Sequence, residues 1–437
     1  MDENQLFRDF VWSGIVYRKH TKIDKNILER EVVFIENRHL ESYFNVAHCL
    51  IEDLKCGGDL VGPGNGWMVR SYVCWLLGIT CFNPASIGLE PLLTWCDSNK
   101  NPMIDIEVDN DSFHKVYKKA IELYGYNNVA RMPALLSDKS NLSEHESIGI
   151  TQNGDKIYLH RCALLICQDG CISDHYPVKE ITDEEGNKIL CTNEFIPGCD
   201  NKTVFRFNIL KSHELTRIKR IQELITANGK RIRPQLGDLD ILDEKYVSFR
   251  SGSFKGIPFF ESLKNYEKNI RMLLNDSYHV EYQYLLNIMV LFIWGVGQNL
   301  VSENDIKDFQ CKYGINTKLW RYEYPWGILF KEDVAHIMNS WIGFTWKQIA
   351  HIMELIEKPN QVEIEEIKQI FFQNGIENAF KEDELNKIWA SIFNREEKRP
   401  LFSKSHLAGD LYLSVFLAKL KVEFEDEFMQ QYEEEQK

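Results

Sequence analysis

The chain has 437 residues, enough for two or three domains with cores of their own. Its 44% hydrophobic and 27% charged residues are ordinary for a soluble globular protein, and a net charge of −14 argues against a protein wrapped in a broad basic surface. No apolar run reaches the length of a membrane span, and the longest candidate, YLLNIMVLFIWGVG at 284–297, suits a buried helix better.

Taken in chain order, the start MDENQLFRDF is acidic and lacks a signal-peptide pattern. Residues 24–56 have helical periodicity, followed by a Gly-rich loop, GGDLVGPGNG (57–66), and a helical stretch, WMVRSYVCWLLGI (67–79). The segment NPMIDIEVDND (101–111) alternates acidic and β-branched residues. Period-two alternation predicts a half-buried strand with Asp105, Glu107 and Asp109 on one face. Three like charges in a row repel one another unless they are solvated or share a cation. The face is therefore either an open acidic surface or a site for a divalent ion such as Mg²⁺. Residues 112–128 read as helix, and 155–170 and 203–210 as strands. From about 213 the pattern is helical, with segments at 262–275, 280–294, 333–356, 361–373, 382–393 and 407–431. The fold class expected is α+β, an α+β front half followed by a largely helical back half.

Eleven cysteines, an odd number set in apolar segments, read as reduced thiols of a cytoplasmic protein. Cys162, Cys167, Cys171, Cys191 and Cys199 lack the paired short spacing of a zinc knuckle. From Lys202 to Arg233, nine Lys or Arg residues stand against Glu214 and Glu223, a local basic segment inside an acidic protein. It is either a phosphate-contacting patch or a solvated helix face. In the first case Lys211, Arg217, Lys219 and Arg220 share one helix face, and Lys230, Arg231 and Arg233 follow in a loop. The acidic counterweight is the carboxy-terminal EFEDEFMQQYEEEQK.

The motif DLVGPGNGWMVRSYVCWLLGITCFNP, followed by the acids at 105–109, resembles the palm signature VGPGRGSxxGSLVAYLLGITxxxP … MPDIDIDF of the bacterial DNA polymerase III alpha subunits, the C-family polymerases. Further likenesses follow in the same order. HRCALLI (160–166) resembles HAAGVVI, RFNIL (206–210) resembles KFDFL, and YVSFRSGSFKGIPFFES (246–262) resembles YELLxxGDTxGVFQLES. WGILFKEDVAHI and GFTWKQIAHIM resemble YGVIVYQEQVMQI and GFSLGEADLLRRAM. LFSKSHLAGDLYLSVFLAKLKVEFEDEFM (401–429) resembles FNKSHAxAYAxLSYQTAYLKAHYPxEFM. The resemblance runs from about residue 28 to 430. It implies N-terminal helices and the first part of a polymerase-β-like nucleotidyltransferase palm at 1–110, a truncated thumb at 111–155, the second part of the palm at 156–212, and helical fingers at 213–437.

In that family three palm carboxylates hold two metal ions for nucleotidyl transfer. The resemblance makes Asp105 and Glu107 metal ligands for Mg²⁺, with Asp109 structural. It also places Gly64, Gly66, Arg206, Lys404 and His406 at nucleotide or phosphate, Lys404 and His406 being either contacts to template or primer or helix-packing residues, and His160 as a residue that shapes the palm. The departures are concentrated in the chemistry. The third carboxylate is Asn208, the GRGS loop reads Gly64-Asn65-Gly66-Trp67, and family arginines fall on Thr94, Trp294, Met353 and Glu354. Each lost Arg is a lost bidentate phosphate clamp. The expectation is a catalytically degraded polymerase-like protein, binding Mg²⁺ weakly if at all. It would bind DNA or RNA modestly, or serve as an accessory subunit beside another polymerase or a reverse transcriptase. The alternative is an active, non-processive nucleotidyltransferase using Asp105 and Glu107 with Mg²⁺, with Asp109 or an acid from elsewhere completing the site. The resemblance also implies a bacterial or phage setting, with anti-phage defence as a conjecture.

Overall fold

The computed structural model describes residues 2–18, 23–87, 89, 102–134, 148–184, 186–196, 203–232, 236, 254–266, 270, 285–287, 289–290, 328–393 and 401–437. Three helices lead the chain: α1 (Glu3–Tyr17), α2 (Lys25–Asn37) and α3 (Glu41–Cys56). The first was not anticipated from the sequence pattern. Asp2 and Asp24 start α1 and α2 as N-caps, their carboxylates accepting backbone N–H groups of the first turn.

The stretch read as one helix at 67–79 is two short pieces, a 3₁₀ turn (Gly66–Arg70) and α4 (Tyr72–Leu76). Ser71 breaks it, with extended backbone and a hydroxyl that caps Cys74 N–H. The orphan donors at this break are taken by Glu31 of α2. Its fully buried carboxylate accepts from Tyr72 N–H, Val73 N–H and the Ser71 hydroxyl at 2.8–3.2 Å.

The strands are β1 (Ile104–Val108), β2 (Val129–Arg131), β3 (Ile148–Thr151), β4 (Lys156–Tyr158), β5 (Ala163–Cys167), β6 (Val178–Thr182), β7 (Lys188–Thr192) and β8 (Val204–Lys211). They form one sheet in the order β1-β8-β5-β2-β7-β6-β3-β4, parallel at β1/β8 and β2/β7 and antiparallel elsewhere. The helix α5 (Asn110–Tyr124) joins β1 to β2 and contacts β2, β5 and β8. Thus the described residues of 111–155 pack on, or pair within, the same sheet as the palm strands.

One core lies between the sheet and α1–α5. Tyr43 of α3 is at its centre. Its ring stacks on Phe207 at 4.9 Å, its hydroxyl donates to Arg206 C=O at 3.0 Å, and it accepts Ile104 N–H at 2.8 Å. A single buried phenol therefore ties α3 to both strands at the sheet's edge, and burial of an aromatic ring contributes about 2–3 kcal/mol before those bonds.

The back half contains α6 (His213–Ala227), α7 (Lys331–His336) running into a π turn (Ile337–Trp341), α8 (Trp346–Glu357), α9 (Gln361–Glu377), α10 (Glu382–Phe393), α11 (Lys404–Glu423) and α12 (Glu425–Glu435). The helix read at 333–356 is interrupted at Gly343, whose φ of +84° suits glycine, and restarts with a Thr345–Gln348 capping box. The helix read at 407–431 breaks at Phe424. The segments 262–275 and 280–294 fall mostly outside the described residues. A second core joins α6, α11 and α12, and a third fills α7–α10. The architecture is α+β, a palm-like sheet domain and a helical domain. No helix among the described residues is long and apolar enough to cross a membrane.

Candidate functional site

β1 has alternating burial. Ile104, Ile106 and Val108 point into the core while Asp105 and Glu107 are half-buried on the other face. The parallel register sets Asp105 opposite Asn208 and Glu107 opposite Leu210, and β5 places Ala163 on the far side of Asn208. The Asn208 amide donates to Asp105 Oδ1 at 2.8 Å. Its own oxygen accepts from Arg206 Nη2 at 3.5 Å and from the Cys162 thiol at 3.7 Å. Arg206 is buried, donates to Ile196 C=O at 2.8 Å and lies over the Phe195 ring. Burial raises the Asp105 pKa, the Asn208 bond and the charges of His406 and Arg206 opposing it.

The Gly-rich loop closes over Glu107. Gly62 N–H donates to Glu107 C=O at 2.8 Å, and a Cβ on Gly62 would lie 2.6 Å from Glu107 Cβ. Asn65 donates to Glu107 Oε1 at 3.3 Å. Burial pushes the Glu107 carboxyl up to about 7, with Asp410, Asp105 and Glu214 adding to the rise and the Asn65 bond opposing it. Gly64 and Gly66 adopt φ of +91° and +60°. Across the loop, α11 brings His406 beside Gly66, where a Cβ would meet His406 Nε2 at 3.5 Å, and places Asp410 one turn further on. His406 and Asp410 are exposed.

The third acid of the motif has another task. Asp109 is fully buried and N-caps α5 through Asp111 N–H and Ser112 N–H at 3.1 and 3.0 Å. It also accepts from Lys219 Nζ at 2.9 Å and from the Ser112 hydroxyl. Burial would raise its pKa, but Lys219 and Ser112 outweigh it and hold the carboxyl below its usual range. The structural role expected of Asp109 is what the structure shows.

His160 accepts Ala163 N–H at Nδ1 (3.2 Å). Burial first, then the Arg206 and Arg131 charges, lower its pKa to about 4, so it is neutral at neutral pH.

Two expectations need correcting. Lys404, expected either at phosphate or in helix packing, is packed rather than at phosphate: it is 4% exposed and paired with Asp333 at 2.7 Å, its ammonium over the Phe330 ring. The reason is a contact from α7. Glu332 accepts Lys404 N–H and Ser405 N–H at the start of α11, and that docking turns the Lys404 side chain inward. The shared basic face of Lys211, Arg217, Lys219 and Arg220 does not form either. Lys211 ends β8 over the Phe113 ring. Arg217 is 6% exposed between α6 and α12, at 3.2 Å from Glu435 and over the rings of Phe428 and Tyr432. Lys219 meets Asp109, Arg220 meets Asp111 and Glu223, and Lys230 meets Glu427 at 2.6 Å. Arg231 is exposed, and Arg233 lies outside the described residues, as do Lys202, Thr94, Trp294 and Cys199.

Sequence reasoning passed over Asp410 and the reach of Asn65. The i, i+4 spacing of His406 and Asp410 on a helix following a cleft motif was the one signal that pointed to the acid.

The residues present do not fit a two-ion carboxylate site. Asn208 has no charge and gives its amide N–H to Asp105, and Asp109 is committed to α5 and Lys219. Among the described residues no group of three His, Cys, Asp or Glu side chains is gathered closely enough to hold a metal ion.

Residues 5–144 match the family described as bacterial DNA polymerase III alpha NTPase domain. The chain is 21% identical to the DNA polymerase III subunit alpha of Aquifex aeolicus over 518 aligned residues, covering 97% of this chain and 43% of that protein. It is 22% identical to that of Rickettsia bellii over 476 residues, covering 92% of this chain and 39% of that one. A shorter match of higher identity, 31% over 130 residues, is to that of Staphylococcus epidermidis, covering 28% of this chain and 12% of that protein. The chain spans about two fifths of the length of the relatives that match most of it.

Proposed function

We propose that this chain, a DNA polymerase III alpha-like protein, keeps the palm and fingers scaffold but has given up nucleotidyl transfer, and acts as a nucleic-acid-binding or accessory subunit of a polymerase-containing complex. One observation carries this reading. The position that would complete the carboxylate triad is Asn208, and its amide is bonded to Asp105 at 2.8 Å. Phosphoryl transfer depends almost wholly on positioned charge, and here both the third carboxylate and the loop Arg are replaced by amides. The named function of the relatives supports the nucleic-acid context, and the low identity accompanies the changed chemistry. Any Mg²⁺ held by Asp105 and Glu107 is bound weakly, because ligand charge sets affinity for hard cations.

A second reading rests on Asp410. It stands one helical turn from His406 on α11, next to Gly409, where a Cβ would lie 2.8 Å from the Gly64 carbonyl of the loop over Glu107, and its charge adds to the rise of the Glu107 pKa. In that case Asp410 supplies the charge missing at position 208, and the protein is an active, non-processive enzyme. Labelled-nucleotide incorporation into primed template and free 3′ ends separates the two. The first reading expects wild type, Asp105→Asn and Asp410→Asn at the same background with Mg²⁺ or Mn²⁺. Incorporation by wild type that disappears in both variants would establish the second.

A further inference from the structure

Two asparagines contact the two acids of the cleft, one each. Asn208 reaches Asp105 from the neighbouring parallel strand at 2.8 Å, and Asn65 reaches Glu107 from the Gly-rich loop at 3.3 Å. Asn65 has a second engagement, its oxygen accepting Gly66 N–H at 2.6 Å. That N–H belongs to the loop whose backbone is expected to meet a triphosphate. The loop is also held down. A Cβ at Gly64 would come within 2.5 Å of Thr80 Cγ2, and one at Gly409 of α11 within 2.8 Å of Gly64 C=O. An amide is suited to this position because it donates to a carboxylate with one end and accepts a backbone N–H with the other.

We propose that Asn65 and Asn208 are internal amide substitutes for the divalent ions of this cleft, bonding its two carboxylates and closing the loop to a metal-bound triphosphate from within. Asp105 and Glu107 then act as hydrogen-bond acceptors that fasten the loop and β8 to β1. The cleft is complete without a cation. An aspartate at 208 would set two acceptors against each other in a partly buried site, a conflict that a cation relieves. The proposal rests on the reading of a palm without transfer activity, yet it fails separately from it.

The test is the melting midpoint of the full chain in EDTA, in millimolar MgCl₂, and in MgCl₂ with dATP, at mildly alkaline pH. The wild-type midpoint is expected to coincide in all three. Asn208→Asp should melt several degrees lower in EDTA and recover in MgCl₂ or MnCl₂. Should that variant fail to fold, Asn208→Ala serves instead, expected to melt lower than wild type and to gain nothing from the metal. The proposal is overturned if wild type gains several degrees from MgCl₂ and Asp105→Asn loses the gain. It is also overturned if Asn208→Asp, or Asn208→Ala in its place, matches wild type in EDTA. A wild-type metal response without nucleotide incorporation would remove this inference and leave the non-catalytic reading standing.

Discussion

Asn208 stands beside Asp105 because β1 and β8 are parallel neighbours, and the order of the motifs along the chain already pairs the two positions. Lys404 was not legible. The rotation of α11 is set by Glu332, seventy-two residues earlier, accepting the helix's first N–H groups, and no local pattern announces that. Lys404→Ala should therefore act on stability, leaving Asp333 buried without its cation. The expected cost is about 3–5 kcal/mol in denaturant melts, and a loss within ordinary surface values would contradict the buried pair.

Glu31 offers a pH test at the same scale. Burial raises its carboxyl from 4.5 to about 7. A carboxyl raised in the fold contributes stability that is fully present below its unfolded value and is lost as pH rises through the folded one. Gln cannot ionise, so whatever hydrogen bonds it sacrifices are lost equally at every pH. The stability of Glu31→Gln relative to wild type should climb by up to about 3 kcal/mol between roughly pH 5 and pH 8. A flat or falling difference would contradict the burial of an ionisable group there.

Among elements, the most instructive is α6. Its cations read as a patch in the sequence, yet each described one is answered by an acid or ring on a neighbour: Arg217 by α12, Lys219 and Arg220 by the start of α5. The pattern gave the helix correctly. It could not give the partners, since Glu435 lies more than two hundred residues away. Arg217→Glu should lower the melting midpoint sharply by placing a carboxylate between Phe428 and Glu435, whereas Arg220→Glu, at an exposed pair, should shift stability by less than about 1 kcal/mol. Equal effects from the two would contradict the opposite environments assigned to them. Helix breaks were missed for a similar reason. Ser71 and Phe424 interrupt runs whose apolar spacing continues across the break, so periodicity alone joins them.

For the whole molecule, the charge is −14 and, among the described residues of the basic segment, most cations are answered from within, so the proposed nucleic-acid binding would fall to exposed cations such as Lys211 and Arg231. Binding of single strands, measured by fluorescence anisotropy, should be weak and should fall steeply as salt rises, because each neutralised phosphate releases a counterion. Tight binding that is insensitive to salt would point to base stacking or to a built pocket instead. The α+β order and the run of motifs were legible because hydrophobic periodicity and motif succession survive divergence at this level of identity.

Whether the palm transfers nucleotides is decided most directly under single-turnover conditions. Protein in excess over a labelled primed template, with Mn²⁺ and all four deoxynucleotides, gives even a very slow enzyme time to add one residue. The structure leads to an unextended primer at long times, indistinguishable from Asp105→Ala. A primer lengthened by one nucleotide in wild type and not in Asp105→Ala would contradict the loss of catalysis inferred from Asn208.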